Sequence, residues 1–131
     1  TLAERSRAGL DGRPPLHMSG VNGVSPCGDC PGENGAAIVP ESGMFASFDP
    51  VALDKACIEA VNAAPAMPDS ASTDTGPLKP EYAEIQPKPC GCGQGKDHCT
   101  AIHPVTDWRS QIAHAVDIGL GAGEYELVSI D

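Results

Sequence analysis

The sequence predicts a small α/β or α+β fold with a small mixed sheet of short strands, two main helices and a long Cys/Gly/Pro-rich loop over residues 65–99. A length of 131 residues fits one domain, at ~100–200 residues per domain. Only five residues are aromatic, so the core must consist mostly of Ala, Val, Ile and Leu. The 15 Gly and 13 Pro residues indicate many loops. The order of strand, helix, loop, helix and strand suits a layer that packs on something larger.

Short apolar runs predict the strands. Residues 16–21 alternate loosely between apolar and polar side chains, which is typical of a short strand. Residues 36–39 form a brief apolar run that Pro40 ends, so they can form only a short or edge strand. Two further strands are predicted at 43–48 and 124–130.

Both main helices have clear boundary signals. Asp49 is a good N-cap, Pro50 suits the first helical position, and apolar residues then recur at three- and four-residue spacing as far as Ala64. The last helix is predicted to begin at 106 or 107 and to end at 118. Gly119 then occupies the position of a left-handed C-cap.

The charge and the termini limit the partners and the compartment. The formal net charge of −10 disfavours nucleic acid and anionic membranes. The chain has neither an apolar run of ~18 residues nor a secretory signal, so we expect a cytoplasmic protein. It opens inside a predicted helix at 1–10, which suggests a segment of a longer protein. We therefore expect an exposed apolar face that the N-terminal part of the parent covers, or a second copy in a homo-oligomer.

Five of the six cysteines fall into two groups, Cys27-x2-Cys30 and Cys90-x-Cys92-x6-Cys99. Tight Gly/Pro turns let neighbouring thiolates converge on one ion, and glycines let the backbone wrap closely around it. The five thiols exceed the four that Zn²⁺ or an iron–sulfur cluster requires. The spacing therefore predicts a metal site with ligands drawn from these five cysteines.

Three disulfides are the alternative interpretation of the cysteines. A bridge between Cys90 and Cys92 would be strained, so we favour free thiols in a reducing compartment. Cys57 lies on the apolar stripe of the first main helix and is predicted to pack in the core. His98 and His103 are plausible additional ligands.

We expect the two cysteine groups to meet, because neither group alone has four thiols. The chain between Cys99 and Trp108 is short, so the site should lie near the start of the last helix. The positive end of the helix dipole there would favour thiolate over thiol. A metal-free form could instead pair Cys27 with Cys30.

Residues 24–62 and 95–130 carry a set of ordered motifs. These are I-V-P at 38–40, G-x-x-A-S-x-D-P-V-A-x-D at 43–54, D-W at 107–108 and I-G-L-G-x-x-E-Y-E-L at 118–127. In these motifs the chain resembles the uncharacterised iron–sulfur-centre proteins, the domain of unknown function 362 family. The resemblance implies the C-terminal part of a longer protein. Family members often carry a ferredoxin-type C-x2-C-x2-C-x3-C-P module before this part, and no such run occurs here.

The resemblance and the cysteines together lead to one expected function and two alternatives. We expect a segment with a metal or iron–sulfur site, an electron-transfer role and a redox partner. The first alternative is a segment that completes the active site of an enzyme of unknown reaction, and the second is a structural Zn²⁺ site. No motif in the chain identifies a reaction, because it has no G-x-S-x-G elbow and its glycine pattern at 119–123 follows a helix.

Overall fold

The computed structural model describes residues 13–26, 36–70, 97–103 and 106–130. These residues form two strands and three helices, and they confirm a small α/β fold. The elements are β1 His17–Val21, β2 Gly43–Ser47, α1 Pro50–Ala63, α2 His98–Ile102 and α3 Trp108–Asp117. The predicted helix at 1–10 and most of the long loop lie outside the described residues.

The two strands form an antiparallel sheet in which His17 pairs with Ser47 and Val21 pairs with Gly43. Because side chains alternate along a strand, one face of this sheet packs on α1 and the other points outward. The sequence located both strands to within one residue at each end.

Two other predicted strands do not form, and the reasons differ. In the segment 36–39, Ile38 and Val39 are buried core residues, but the backbone bonds of Ile38 go to Val24 and Met67 instead of to a ladder. The segment 124–130 has the alternation of a strand, yet it is exposed and pairs with no strand in the described part of the chain. The apolar residues at 36–39 are therefore core residues outside any strand, whereas those at 124–130 lie on the surface.

Helix α1 begins as the sequence predicted. The Asp49 carboxylate accepts hydrogen bonds from the backbone N–H groups of Val51 and Ala52 at 2.9 and 3.0 Å, and Pro50 occupies the first turn. Along α1, Leu53 and Val61 are buried on the face toward the core. The predicted helix is confirmed to within one residue at its C-terminal end.

The core joins elements that are distant in the sequence. Its fully buried members come from β1, the 36–39 segment, α1 and α2: Val21, Ile38, Val39, Val61 and Ile102. Val24, Phe45, Cys57 and Ala64 pack against this cluster and are partly buried. Helix α2, which the sequence did not predict and whose first two residues lie in the predicted loop, is therefore held to the rest of the fold by apolar contact.

The segment after α3 returns the chain to the start of α1. Gly119 has φ +71°, which confirms the predicted left-handed cap. Beyond it, the Ala122 N–H donates to the Asp49 carboxylate at 2.6 Å, and Lys55 donates to the Gly123 carbonyl at 2.6 Å. The glycine pattern at 119–123 therefore forms a docking segment, which we call the glycine strap.

Candidate metal centre

The five predicted ligands divide between described and undescribed parts of the chain. Cys27, Cys30, Cys90 and Cys92 lie outside the described residues, so the predicted meeting of the two groups stays a prediction. Cys99 is the second residue of α2, where it is half-buried with a free thiol.

The described residues on both sides of the first cysteine group, Cys27 and Cys30, are held together by a backbone hydrogen bond. The Ile38 N–H donates to the Val24 carbonyl at 2.8 Å. The His103 ring contacts the carbonyl of Pro26 through Nε2. Pro26 directly precedes Cys27, and His103 is the C-cap of α2. The residue that precedes the first cysteine group therefore contacts the C-cap of the helix that carries Cys99.

Helix α2 is also fastened to α1 and α3. The Asp97 carboxylate caps α2 by accepting from the Thr100 N–H at 2.9 Å, and it accepts from Arg109 at 3.0 Å and from the Trp108 ring N–H at 3.4 Å. On the other side, the Cys99 N–H donates to the Asn62 side chain at 3.4 Å. Cys99 therefore lies two residues from a carboxylate that is bonded to the first turn of α3.

The electrostatics around Cys99 favour the protonated thiol. Burial raises the pKa of the Cys99 thiol above its usual value, and the negative charge of Asp97 raises it further. The backbone N–H of Cys99 and the Arg109 guanidinium offset only part of this effect. The expectation that the dipole of the last helix favours thiolate at the metal site stays a prediction.

Asp97 itself is held in its ionised form. Its partial burial works against the charge, but hydrogen bonds from Thr100, Arg109 and Trp108 outweigh burial and lower the pKa of Asp97 below its ordinary range. A charged Asp97 ties α2 and α3 together across the whole physiological pH range.

His98 is the most deeply buried polar side chain of α2, with 8% of its surface exposed. Its Nε2 lies 2.9 Å from the Ala64 carbonyl at the end of α1. Its Nδ1 is inaccessible and has no hydrogen-bond partner within the described ranges. The sequence indicated His98 only as a plausible ligand. Its burial and its contact with Ala64 could not be predicted locally, because the two residues are 34 positions apart.

Cys57 lies in a different environment from Cys99. It is half-buried on α1 and packs against the core cluster. Burial and the neighbouring Asp54 raise the pKa of the Cys57 thiol, while a hydrogen bond with Ser19 partly opposes them. These contacts agree with the packing role predicted for Cys57.

No group of three or more His, Cys, Asp or Glu side chains in the described part of the chain is arranged to hold a metal ion. The residues that fix Cys99 escaped sequence reasoning, although one signal was present. Asp97 followed by Thr100 is a helix N-cap pattern that could have identified α2 inside the predicted loop.

The outward face of the sheet is apolar. Its exposed side chains are Leu16, Met18, Met44 and Phe48, with 57–64% of their surface accessible. The segment after the glycine strap adds exposed Leu127, Val128 and Ile130. The chain therefore presents apolar surface of the kind that a partner covers, and the identity of that partner stays a prediction.

No family model matches this chain, and no curated protein and no solved structure shows significant similarity to it. Across 13–26, 36–70, 97–103 and 106–130, no helix has the length and apolar character needed to cross a membrane.

Proposed function

We propose that this chain is the C-terminal segment of an iron–sulfur-centre protein and that its cysteines bind a metal centre with a role in electron transfer. The ligands are drawn from the five cysteines of the two groups: Cys27, Cys30, Cys90, Cys92 and Cys99. The observation that carries the proposal is the contact between His103 and the Pro26 carbonyl.

This contact supports the proposal through chain distances. Cys27 follows Pro26 directly, and consecutive Cα atoms are ~3.8 Å apart. Cys99 precedes His103 by about one helical turn, or ~6 Å along the helix axis. Cys27 and Cys99 are thus each separated by only a short stretch of chain from residues of the same contact. This proximity along the chain supports a centre with ligands from both cysteine groups.

The chemistry of the described cysteine ligand, Cys99, supports the proposed centre. Thiolates are soft ligands that suit iron–sulfur clusters and Zn²⁺ better than hard cations. The Cys99 thiol is free and half-buried, and its raised pKa means that metal binding would displace a proton. When bound, an iron–sulfur cluster supplies one-electron transfer at a potential set by its ligands, hydrogen bonds and exposure. The contribution of the chain is to fix Cys99 through Asn62 and Asp97.

The apolar surfaces support the proposed partners. A two-stranded sheet is marginal alone, and the outward face of this one is exposed and apolar. We propose that the N-terminal part of the parent protein covers this face, or a second copy where that part is missing. A redox partner and a reducing, cytoplasmic compartment complete the proposal.

Metal analysis tests the proposal. We expect protein purified without oxygen to contain iron and inorganic sulfide and to absorb visible light. Zinc without sulfide or colour would instead favour the structural Zn²⁺ site. Purified protein that holds neither metal, and takes up neither when reduced and supplied with them, would contradict both possibilities.

A further inference from the structure

One buried nitrogen in the structure lacks a partner. His98 Nδ1 is inaccessible to solvent and forms no hydrogen bond among the described residues. The residue as a whole is 8% exposed. Leaving a buried polar atom unsatisfied costs about 1–3 kcal/mol, so native proteins rarely retain one without a reason.

The contact at the other ring nitrogen indicates the tautomer of a neutral His98. The Ala64 carbonyl can only accept a hydrogen bond, so Nε2 carries the proton and donates to it. In the neutral ring Nδ1 then holds the free lone pair. Histidine ligands of metals have this arrangement, because the nitrogen away from the metal usually donates to a backbone carbonyl or a carboxylate.

We propose that His98 Nδ1 is a nitrogen ligand of the metal centre, so that the centre has mixed sulfur and nitrogen ligands. This inference rests on the proposed function. His98 and Cys99 are consecutive residues of α2, so a centre that includes Cys99 lies next to His98 in the chain. Metal binding would supply the partner that Nδ1 lacks.

The other histidine near the site is a weaker candidate. The Nε2 of His103 contacts the Pro26 carbonyl in the same way, but His98 Nδ1 is the one buried side-chain N or O atom without a hydrogen-bond partner in the described part of the chain. The burial of His98 and its unpartnered Nδ1 therefore distinguish it from His103.

X-ray absorption at the zinc edge tests this inference with Zn²⁺ as the probe. The full chain is reduced, stripped of metal and loaded with Zn²⁺, and its spectrum is compared with that of His98→Gln. Glutamine can still donate to Ala64 but has no ring nitrogen. His114→Gln, at an exposed position of α3, is the matched control. Circular dichroism establishes that each variant is folded.

We expect wild type and His114→Gln to show nitrogen at ~2.0–2.1 Å beside sulfur at ~2.3 Å. His98→Gln should lose the nitrogen shell and bind Zn²⁺ at least ~10-fold more weakly. An all-sulfur wild-type spectrum would overturn the inference, even if His98→Gln does not fold. A nitrogen shell that persists in His98→Gln would also overturn it and would assign the nitrogen to another histidine. Both results would leave the proposed function standing, whereas wild type that takes up neither Zn²⁺ nor iron with sulfide would contradict both.

Discussion

Gly121 is the position where a single added carbon should disturb the fold most specifically. A Cβ at Gly121 would lie 2.1 Å from Asp49 Oδ1 and 2.8 Å from a methyl group of Val51. Neither neighbour can yield easily, because Asp49 caps α1 and Val51 is buried in its first turn. The Gly121→Ala substitution must therefore push the glycine strap away from α1.

The expected loss of stability follows from the contacts of the strap. Moving the strap breaks the 2.6 Å hydrogen bond from Ala122 to the Asp49 carboxylate, and a hydrogen bond to a charged group contributes about 1.5–3 kcal/mol. Any overlap that remains adds to this, since overpacking costs about 1–3 kcal/mol. Moving the strap relieves the steric overlap but breaks the hydrogen bond, so one of the two costs always remains. We therefore expect the free energy of unfolding to fall by about 2–4 kcal/mol.

Equilibrium urea unfolding measures this loss, and Gly123→Ala is the matched control. A Cβ at Gly123 would lie 3.3 Å from a methyl group of Val116, which is exposed and able to shift. We expect Gly123→Ala to change the free energy of unfolding by less than about 1 kcal/mol. If Gly121→Ala matched this control, the packing of the strap against α1 described above would be refuted.

Three further predictions follow from the same contacts. The hydrogen bond with Glu59 raises the pKa of Tyr125 to about 12, so a spectrophotometric titration in a Tyr82→Phe background should show this shift and Glu59→Gln should lower it. Because the folded pKa is the higher one, the stability from Tyr125 should decline as pH rises from about 10 toward 12, and a pH-independent stability there would argue against it. Asp97→Ala removes the N-cap of α2 and should lower the stability measured by thermal unfolding by about 0.5–2 kcal/mol. Because the folded pKa of Asp97 is lowered, its contribution to wild-type stability should disappear as pH falls through that pKa. If the stability of wild type and Asp97→Ala fell identically in acid, this prediction would be contradicted. Cys57→Ser should destabilise the chain by ~1–3 kcal/mol with unchanged metal content, and the reverse pattern would make Cys57 a ligand.

Local signals explain why the helices and the two strands could be predicted. Asp49 with Pro50 begins α1, and Gly119 ends α3 in the left-handed conformation that the sequence indicates. Strand pairing is a long-range property, so the apolar pattern alone could not show that 36–39 joins the core without a ladder. The same limit applies to 124–130, whose alternation predicts a strand but supplies no partner.

For the candidate centre, the sequence identified donor atoms but not their surroundings. The spacing marked Cys99 as a ligand, and the structure adds that Asp97 and burial raise its pKa. The contact between His103 and Pro26 and the contact between His98 and Ala64 join residues far apart in the chain. Such contacts depend on how α2 packs against the core, which no local pattern encodes.

The metal content of two matched cysteine variants tests the central claim most directly. Cys57 and Cys99 both have free thiols and are half-buried. Only Cys99 lies on the helix whose C-cap, His103, contacts Pro26 beside the first cysteine group. After purification without oxygen, wild type and Cys57→Ser should carry the same metal per folded chain, and Cys99→Ser should lose most of it. Equal metal in Cys99→Ser and wild type would contradict the assignment of Cys99 as a ligand and with it the location of the proposed centre at α2.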